Sequence, residues 1–351
     1  MIIGYDISIL EGAQLTGVEK LALNLFRACW EIAPEDQHIL ICRQLPKCLG
    51  VLPSQCQIVV TGPSRLWRWM ELRRQVNIHR CQALISGVTH TTLPCGVPLY
   101  SYIHELQWRH KTGESSFWKY RLSLWLSALT ARQFLTNSEA TKADIYQELP
   151  WCPAVSVIYP SYDQNIALAE VVSREMLLLS FGLPDGEYFL FVSSIRPKKN
   201  IHLLVECFSR PEMAGKRLLL AGKILHPEIV AAAAGLSNVH FLGYTSDSQA
   251  ASLYTHAQAF LYVSLNEGFG LPILEAYMKS CPVVASRSGS IPEVAGNAAH
   301  YVSGHDSGEL AALLQNFQAP ENFTNKAKQI VSQFSWQQSA RKLLDLVHSK
   351  S

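Results

Sequence analysis

Glu267 and Glu275 bracket the stretch Glu267-Gly268-Phe269-Gly270-Leu271-Pro272-Ile273-Leu274-Glu275. Pro272 suits the first turn of a helix, where its missing N–H would be unpaired anyway. Gly268 and Gly270 let the backbone pass close to a ligand. A glycine loop that opens a helix after a strand offers free N–H groups and the positive end of the helix dipole to a phosphate. Glu267, at the strand end, can reach a polyol, and Glu275, one turn into the helix, can reach a ribose diol. The plainer alternative is a solvated loop glutamate and a helix-face glutamate.

A second cluster, Phe191-Val192-Ser193-Ser194-Ile195-Arg196-Pro197-Lys198-Lys199-Asn200, places three basic residues on a strand-to-helix turn. Such residues can neutralise a diphosphate whose charge grows as it leaves; a solvated basic turn would look the same.

The order of these segments resembles the family-4 retaining glycosyltransferases across the second half of the chain. The glutamates match the family's Glu-x7-Glu signature, which implies that Glu267 contacts the donor sugar and Glu275 the ribose. The basic turn is similar to the family's Gly-Thr-x-x-Pro-Arg-Lys-Asn loop, so the resemblance gives Lys199 the donor phosphates and puts Lys198 where arginine is common. Ser193, followed by Ser194, replaces the family's glycine. Leu219-Leu220-Ala221-Gly222-Lys223 resembles the strand and glycine turn beneath the nucleotide, and Val239-His240-Phe241-Leu242-Gly243-Tyr244-Thr245 the run that holds the base. The resemblance thus implies donor binding by Gly17, Ser193, Ser194, Lys198, Lys199, Gly222, Tyr244, Glu267, Gly268, Phe269, Gly270, Leu271 and Glu275. His104, Lys199 and Glu267 are its catalytic set.

In the first half, Asp6 and the run Thr16-Gly17-Val18-Glu19 resemble the family's first strand and glycine loop. Gly17 begins a helix there, or is an ordinary surface glycine. His104 ends a strand where the family shows His-Asp near the reacting sugar, with Glu105 in place of the aspartate. Ser138 aligns with a cleft serine, and helix capping explains it equally well. Tyr159-Pro160-Ser161-Tyr162-Asp163 departs from the family's Asn-Gly-Val-Asp. Ser286-Arg287-Ser288-Gly289-Ser290-Ile291-Pro292-Glu293-Val294 reads as a turn and helix start, with Glu293 structural.

The implied reaction is retaining transfer of a hexose, mannose from GDP-mannose first, to a glycan or lipid-linked acceptor, with no essential metal. A nucleotide-sugar epimerase of the same fold and a non-catalytic nucleotide-sugar-binding protein are the alternatives. No Gly-x-Gly-x-x-Gly opens either half, which disfavours a dehydrogenase.

The elements that must position these residues follow an α/β rhythm. Strands are expected over 39–42, 57–60, 83–85, 99–102 and 134–136, and then over 188–193, 217–221, 240–242, 259–263, 283–285 and 299–301. Helices are expected over 18–32, 117–131, 141–148 and 201–208. With 351 residues, 48% of them hydrophobic, the chain is too long for one core. The resemblance implies the two-Rossmann GT-B fold facing a central cleft. Residues 1–165 form an acceptor-side domain, 166–333 a nucleotide-sugar domain, and 334–351 a helix that returns to the first.

A formal charge of +2 gives no global case for nucleic acid. Nine scattered cysteines without zinc spacing read as free thiols in a cytoplasmic protein. The N-terminus lacks a signal-peptide pattern, and no run of about 18 apolar residues could span a membrane. In Ser64-Arg65-Leu66-Trp67-Arg68-Trp69-Met70-Glu71-Leu72-Arg73-Arg74, however, Leu66, Trp69 and Met70 share a helical face flanked by Trp67. With Arg65, Arg68, Arg73 and Arg74, residues 65–74 suit an anionic membrane surface, peripheral at the inner face. The alternative is a packed helix whose tryptophans join the first core.

Overall fold

Short runs rich in Val, Ile, Leu and Phe, most of them buried on both faces, make parallel strands, thirteen among the described residues. The structure is a computed structural model and describes residues 1–12, 15, 17–87, 95–110 and 117–349. Thr16, part of the first glycine loop, lies outside the described residues. The first sheet contains β1 (Ile2–Asp6), β2 (Gln37–Cys42), β3 (Cys56–Val60), β4 (Ala83–Ser86), β5 (Leu99–Ile103), β6 (Gln133–Thr136) and β7 (Val155–Val157). The second contains β8 (Phe189–Val192), β9 (Leu218–Ala221), β10 (Val239–Gly243), β11 (Ala259–Tyr262), β12 (Val283–Ser286) and β13 (Ala299–Val302).

Their orders are β3-β2-β1-β4-β5-β6-β7 and β10-β9-β8-β11-β12-β13, and every pairing is parallel. Both are Rossmann-like. In each, the chain builds outward in one direction and then restarts on the other side of its first strand. That reversal, between β1 and β4 and again between β8 and β11, opens a crevice at the carboxyl ends of the strands.

The chain divides into two units. One gathers most of the residues before Tyr162 together with the segment from Phe334, and the other takes Tyr162–Gln333. In the first, the helix Gly17–Ile32 buries Leu21, Leu25 and Ala28 along one stripe and Ala22, Phe26 and Cys29 along the next. The C-terminal helix Trp336–His348 closes the same core with Trp336, Ala340, Leu343, Leu344 and Val347. Each large side chain buried there stabilises by about 1.5 to 3 kcal/mol. Ser335 caps that helix, and the Tyr100 hydroxyl donates to the Leu346 carbonyl at 2.8 Å. Ser138 caps the helix Glu139–Glu148 by accepting from the Thr141 N–H at 3.1 Å.

The stretch 65–74 departs from its expectation. The helix starts only at Glu71 and runs to Ile78, after a series of turns. Without continuous helical periodicity, Trp67 turns inward. It is 3% exposed, packs with Ile41, Leu72 and Leu84, and donates its indole N–H to Thr61 Oγ1 at 2.6 Å. Trp67 is therefore a core residue and no part of a membrane-facing set. Arg68 is likewise engaged inside the protein, with Nε 3.6 Å from Asp6 and Nη2 donating to Ser8 Oγ at 3.1 Å.

Candidate active site

Two loops leave the second sheet at its reversal point, one from β8 and one from β11. The β8 loop enters a short 3-10 turn, Pro197–Lys199, and ends on Asn200 at φ 58°. The left-handed conformation at Asn200 lets its side-chain amide donate to the Val263 carbonyl at 3.1 Å and the Gly304 carbonyl at 2.8 Å, tying this loop to the segments just after β11 and β13. The Leu265 N–H donates to the Lys198 carbonyl at 3.0 Å and fixes the second loop against the first.

These ties bring the predicted basic and acidic residues together. Lys199 Nζ donates to Glu267 Oε1 at 2.6 Å, and Lys198 Nζ lies 3.7 Å from Glu267 Oε2. All three side chains are buried, and the Lys199 ammonium also sits 5.4 Å from the centre of the Tyr262 ring. Burial by itself pushes the Glu267 carboxyl up. Lys199, Lys198 and the bond from Lys199 outweigh it, and the pKa falls to about 2. Lys199 is pulled below its ordinary value, first by burial and then by repulsion from Lys198 and Arg196, against the opposing attraction of Glu267. The two directions reflect one arrangement. Two ammonium groups share one carboxylate, so the anion is held firmly.

The glutamate loop is also strapped from the segment after β12. Ser286 Oγ donates to the Ser264 carbonyl at 2.7 Å, and Ser290 Oγ lies 3.0 Å from the Glu267 carbonyl and 2.8 Å from that of Phe269. Ser288 Oγ donates to the Leu265 carbonyl. Between them Gly289, at φ 54°, lies so close that a Cβ would fall 2.6 Å from the Glu267 oxygen. Neither the serines nor Gly289 were identified from sequence, although the alternation Ser286, Ser288, Ser290 was visible there.

Gly270, at φ 111°, turns the chain into the helix Leu271–Met278, whose first turn has Pro272 and no side-chain cap. Glu275 is buried one turn inside it and accepts from the Tyr254 hydroxyl at 3.3 Å. Sequence reasoning missed Tyr254. Phe269 is buried, whereas Leu271 is only partly so. At the end of β9, a Cβ on Gly222 would lie 1.9 Å from the Ser193 carbonyl oxygen, and the Gly222 N–H donates to the Gly243 carbonyl at 2.7 Å. Ser193 and Ser194 are half-buried at the end of β8, and Tyr244, beyond β10, is exposed. Among the described residues, no hydrogen bond or ring contact joins Tyr244 to the lysine-glutamate cluster.

In the first unit, Gly17 opens its helix with free space where a Cβ would stand. His104 follows β5, and its Nε2 meets the Gly87 carbonyl at 2.9 Å. Its Nδ1 is buried with no hydrogen-bond partner among the described residues. Burial lowers the His104 pKa, against the opposing effects of the Gly87 carbonyl, Glu105 and Glu19. A neutral ring that donates from Nε2 leaves the Nδ1 lone pair available. At the reversal of this sheet lies Asp6, fully buried, which accepts from the Ser8 N–H at 3.1 Å, Ser8 Oγ at 2.6 Å and Ser86 Oγ at 3.2 Å. Its pairing with Arg68 was missed because that arginine read as a surface charge. Among the described residues, no cluster of three or more His, Cys, Asp or Glu could hold a metal ion.

Residues 186–319, which carry the lysine-glutamate cluster, match the family described as glycosyl transferases group 1. The chain is 37% identical over 291 residues to the MMP alpha-(1->4)-mannosyltransferase of Mycolicibacterium hassiacum, covering 75% of this chain and 68% of that one. This chain is a group 1 glycosyltransferase. The transferase is also 32% identical over 174 residues to the O-antigen chain mannosyltransferase B of Escherichia coli, 46% of its own length and only 45% of that relative's. The crystal structure of Anabaena Alr3699/HepE in complex with UDP-glucose superposes with a TM-score of 0.76 over 99% of both chains at 19% identity, a likeness of fold. The GT-B architecture and family expected from the glutamate and lysine motifs stand.

Proposed function

We propose that this glycosyltransferase moves a hexosyl group from a nucleotide sugar to a glycan or lipid-linked acceptor with retention of anomeric configuration. The observation that carries the reading is the buried Glu267 carboxylate held by Lys198 and Lys199 at the reversal of the second sheet. In this reading Glu267 orients the sugar hydroxyls, and the lysine ammonium groups meet the departing diphosphate without a metal. Glu275, steadied by Tyr254, takes the ribose. The Leu271–Met278 helix start, with Gly268, Phe269, Gly270 and Leu271, lies beside the phosphates. Ser193, Ser194, Gly222 and Tyr244 complete the nucleotide side. His104 and Gly17 serve the reacting sugar and phosphate from the acceptor-side domain.

Mannose is the first donor sugar, supported by the names of the E. coli and M. hassiacum relatives. The UDP-glucose bound by HepE makes glucose from UDP the second. Residues 65–74 are read as facing an anionic membrane at the cytoplasmic side, now through Arg65, Leu66, Trp69, Met70, Arg73 and Arg74.

A thermal-shift series against nucleotide sugars tests the donor. GDP-mannose at a hundred times its dissociation constant should stabilise by about 2.7 kcal/mol. A shift with UDP-glucose alone transfers the assignment to that donor, and no shift with any nucleotide sugar refutes the reading. Isomerised donor formed without acceptor would indicate an epimerase, and binding without any turnover a non-catalytic protein.

A further inference from the structure

A glutamate side chain turns about three bonds, the last of them broad and weakly staggered, so a carboxylate that is to meet a diol has to be held. Glu275 stands on the helix Leu271–Met278 and is 9% exposed. Its Oε2 accepts from the Tyr254 hydroxyl at 3.3 Å. Chemistry fixes the direction of that bond. A carboxylate only accepts, and burial, reinforced by the charge of Glu275, pushes the Tyr254 phenol well above its ordinary pKa, so it stays protonated and donates. One such bond takes one of about four lone-pair positions on a carboxylate.

Other buried tyrosines in the chain have a different kind of partner. Tyr100, Tyr102, Tyr188, Tyr277 and Tyr301 give their hydroxyls to backbone carbonyls. A carbonyl is enough to satisfy a phenol that is there for packing. Tyr254 instead gives its hydroxyl to an ionisable side chain on another helix.

Tyr254 is itself firmly seated. It is fully buried near the end of the helix Asp247–His256, which starts on a reciprocal cap: the Ser246 N–H donates to Gln249 Oε1 at 3.0 Å and the Gln249 N–H to Ser246 Oγ at 3.2 Å. The Leu253 carbonyl beside it accepts from the Tyr188 hydroxyl at 2.9 Å. Its ring meets Phe260 edge to face at 5.3 Å, and Phe260 stacks on Tyr262 at 5.4 Å. Those two are two residues apart on β11 and share one face of the sheet, opposite to Ala259 and Leu261. Tyr262 lies under the Lys199 ammonium, and a Cβ on Gly270 would come 3.5 Å from its ring. Lys199 and Glu275 thus rest on one continuous aromatic wall, whose Tyr254 end presents a hydroxyl to Glu275.

We propose that Tyr254 is a positioning residue for ribose recognition: its hydroxyl orients the Glu275 carboxylate, so that the protein selects nucleotides that carry the 2′,3′-diol. The proposal rests on the reading of Glu275 as the ribose contact. Tyr254 does not touch the nucleotide. It acts through Glu275, and its effect exists only when a ribose diol is there to be met.

The test is calorimetric binding of GDP and UDP, each beside its 2′,3′-dideoxy form, to the full chain and its variants. The wild type should bind the ribose forms about tenfold more tightly than the dideoxy forms. Tyr254→Phe keeps the ring and its packing, so it should melt within about 5 °C of the wild type. It should bind the ribose forms about three- to tenfold more weakly and the dideoxy forms within about twofold of the wild type. Glu275→Gln should lose the same preference, and Tyr254→Phe/Glu275→Gln should bind no more weakly than Glu275→Gln alone. Tyr277→Phe removes a buried hydroxyl from the helix of Glu275 itself and should lower the melting temperature while keeping the preference. A Tyr254→Phe variant that retains the wild-type preference, or that weakens both forms alike, overturns the proposal. So does a double variant whose two losses simply add. A wild type indifferent to the diol, with Glu275→Gln binding as it does, overturns the ribose reading and the proposal with it, and that failure shows before Tyr254→Phe is measured.

Discussion

Replacing Glu267 with glutamine removes the carboxylate that the two buried lysines share. Lys199 Nζ is 2.6 Å and Lys198 Nζ 3.7 Å from its oxygens, with all three side chains at least 90% buried. Breaking a buried ion pair by removing one partner costs about 3 to 5 kcal/mol. Lys199 already stands below its ordinary pKa and can relieve part of the strain by releasing its proton, which favours the lower end, about 3 kcal/mol. For a domain of this size that lowers the melting temperature by about 6 to 12 °C. Lys199→Ala should cost less, because Glu267 keeps Lys198. The ligand response should run the other way. A nucleoside diphosphate brings its own negative charge to the lysines, so GDP or UDP should bind Glu267→Gln at least as tightly as the wild type, while Lys199→Ala weakens binding about tenfold or more. Turnover falls about a hundredfold in both. Melting curves titrated with GDP and UDP, read beside turnover, separate these effects. Glu267→Gln melting within about 2 °C of the wild type, or diphosphate affinity indifferent to Lys199→Ala, would refute the reasoning.

Gly222→Ala sets a Cβ 1.9 Å from the Ser193 carbonyl at φ +141°, so urea unfolding should show a loss of about 3 kcal/mol or more; a loss under about 1 kcal/mol means the two loops move apart freely. Acid unfolding should register the Glu267 ion pair. Its folded pKa, about 2, lies below the ordinary 4.5, so its contribution is complete above the ordinary value and is lost as pH falls through about 2. Over that window the wild type should lose about 3 kcal/mol more than Glu267→Gln, and parallel acid curves would exclude the pair as the source.

Much of the second half was legible because its strands are short, wholly apolar runs closed by turn residues. Helix 201–208 falls where expected, and the strands lie within a residue or two of their expected ends. The lysine and glutamate motifs could be read for the same reason, since each sits on a loop directly after a buried strand. Their neighbours could not. Ser290 and Gly289 act on Glu267 across 22 to 23 residues of chain, and Tyr254 reaches Glu275 across 21. Serine and tyrosine carry no periodicity that marks such a partner, so only the fold assigns them.

The first half shows how a periodicity argument fails in two opposite ways. Reading 65–74 as one helix puts Leu66, Trp69 and Met70 on a single face with Trp67 at its flank. The turns before Glu71 break that phase, and Trp67 enters the core with Thr61 while Arg68 reaches Asp6. The helix Phe117–Thr130 is continuous, yet it is apolar both towards the sheet and towards solvent. A sequence with no polar face reads as a buried helix. The structure shows Leu124 and Ala128 facing the core, with Trp118 and Leu129 exposed on the outward side.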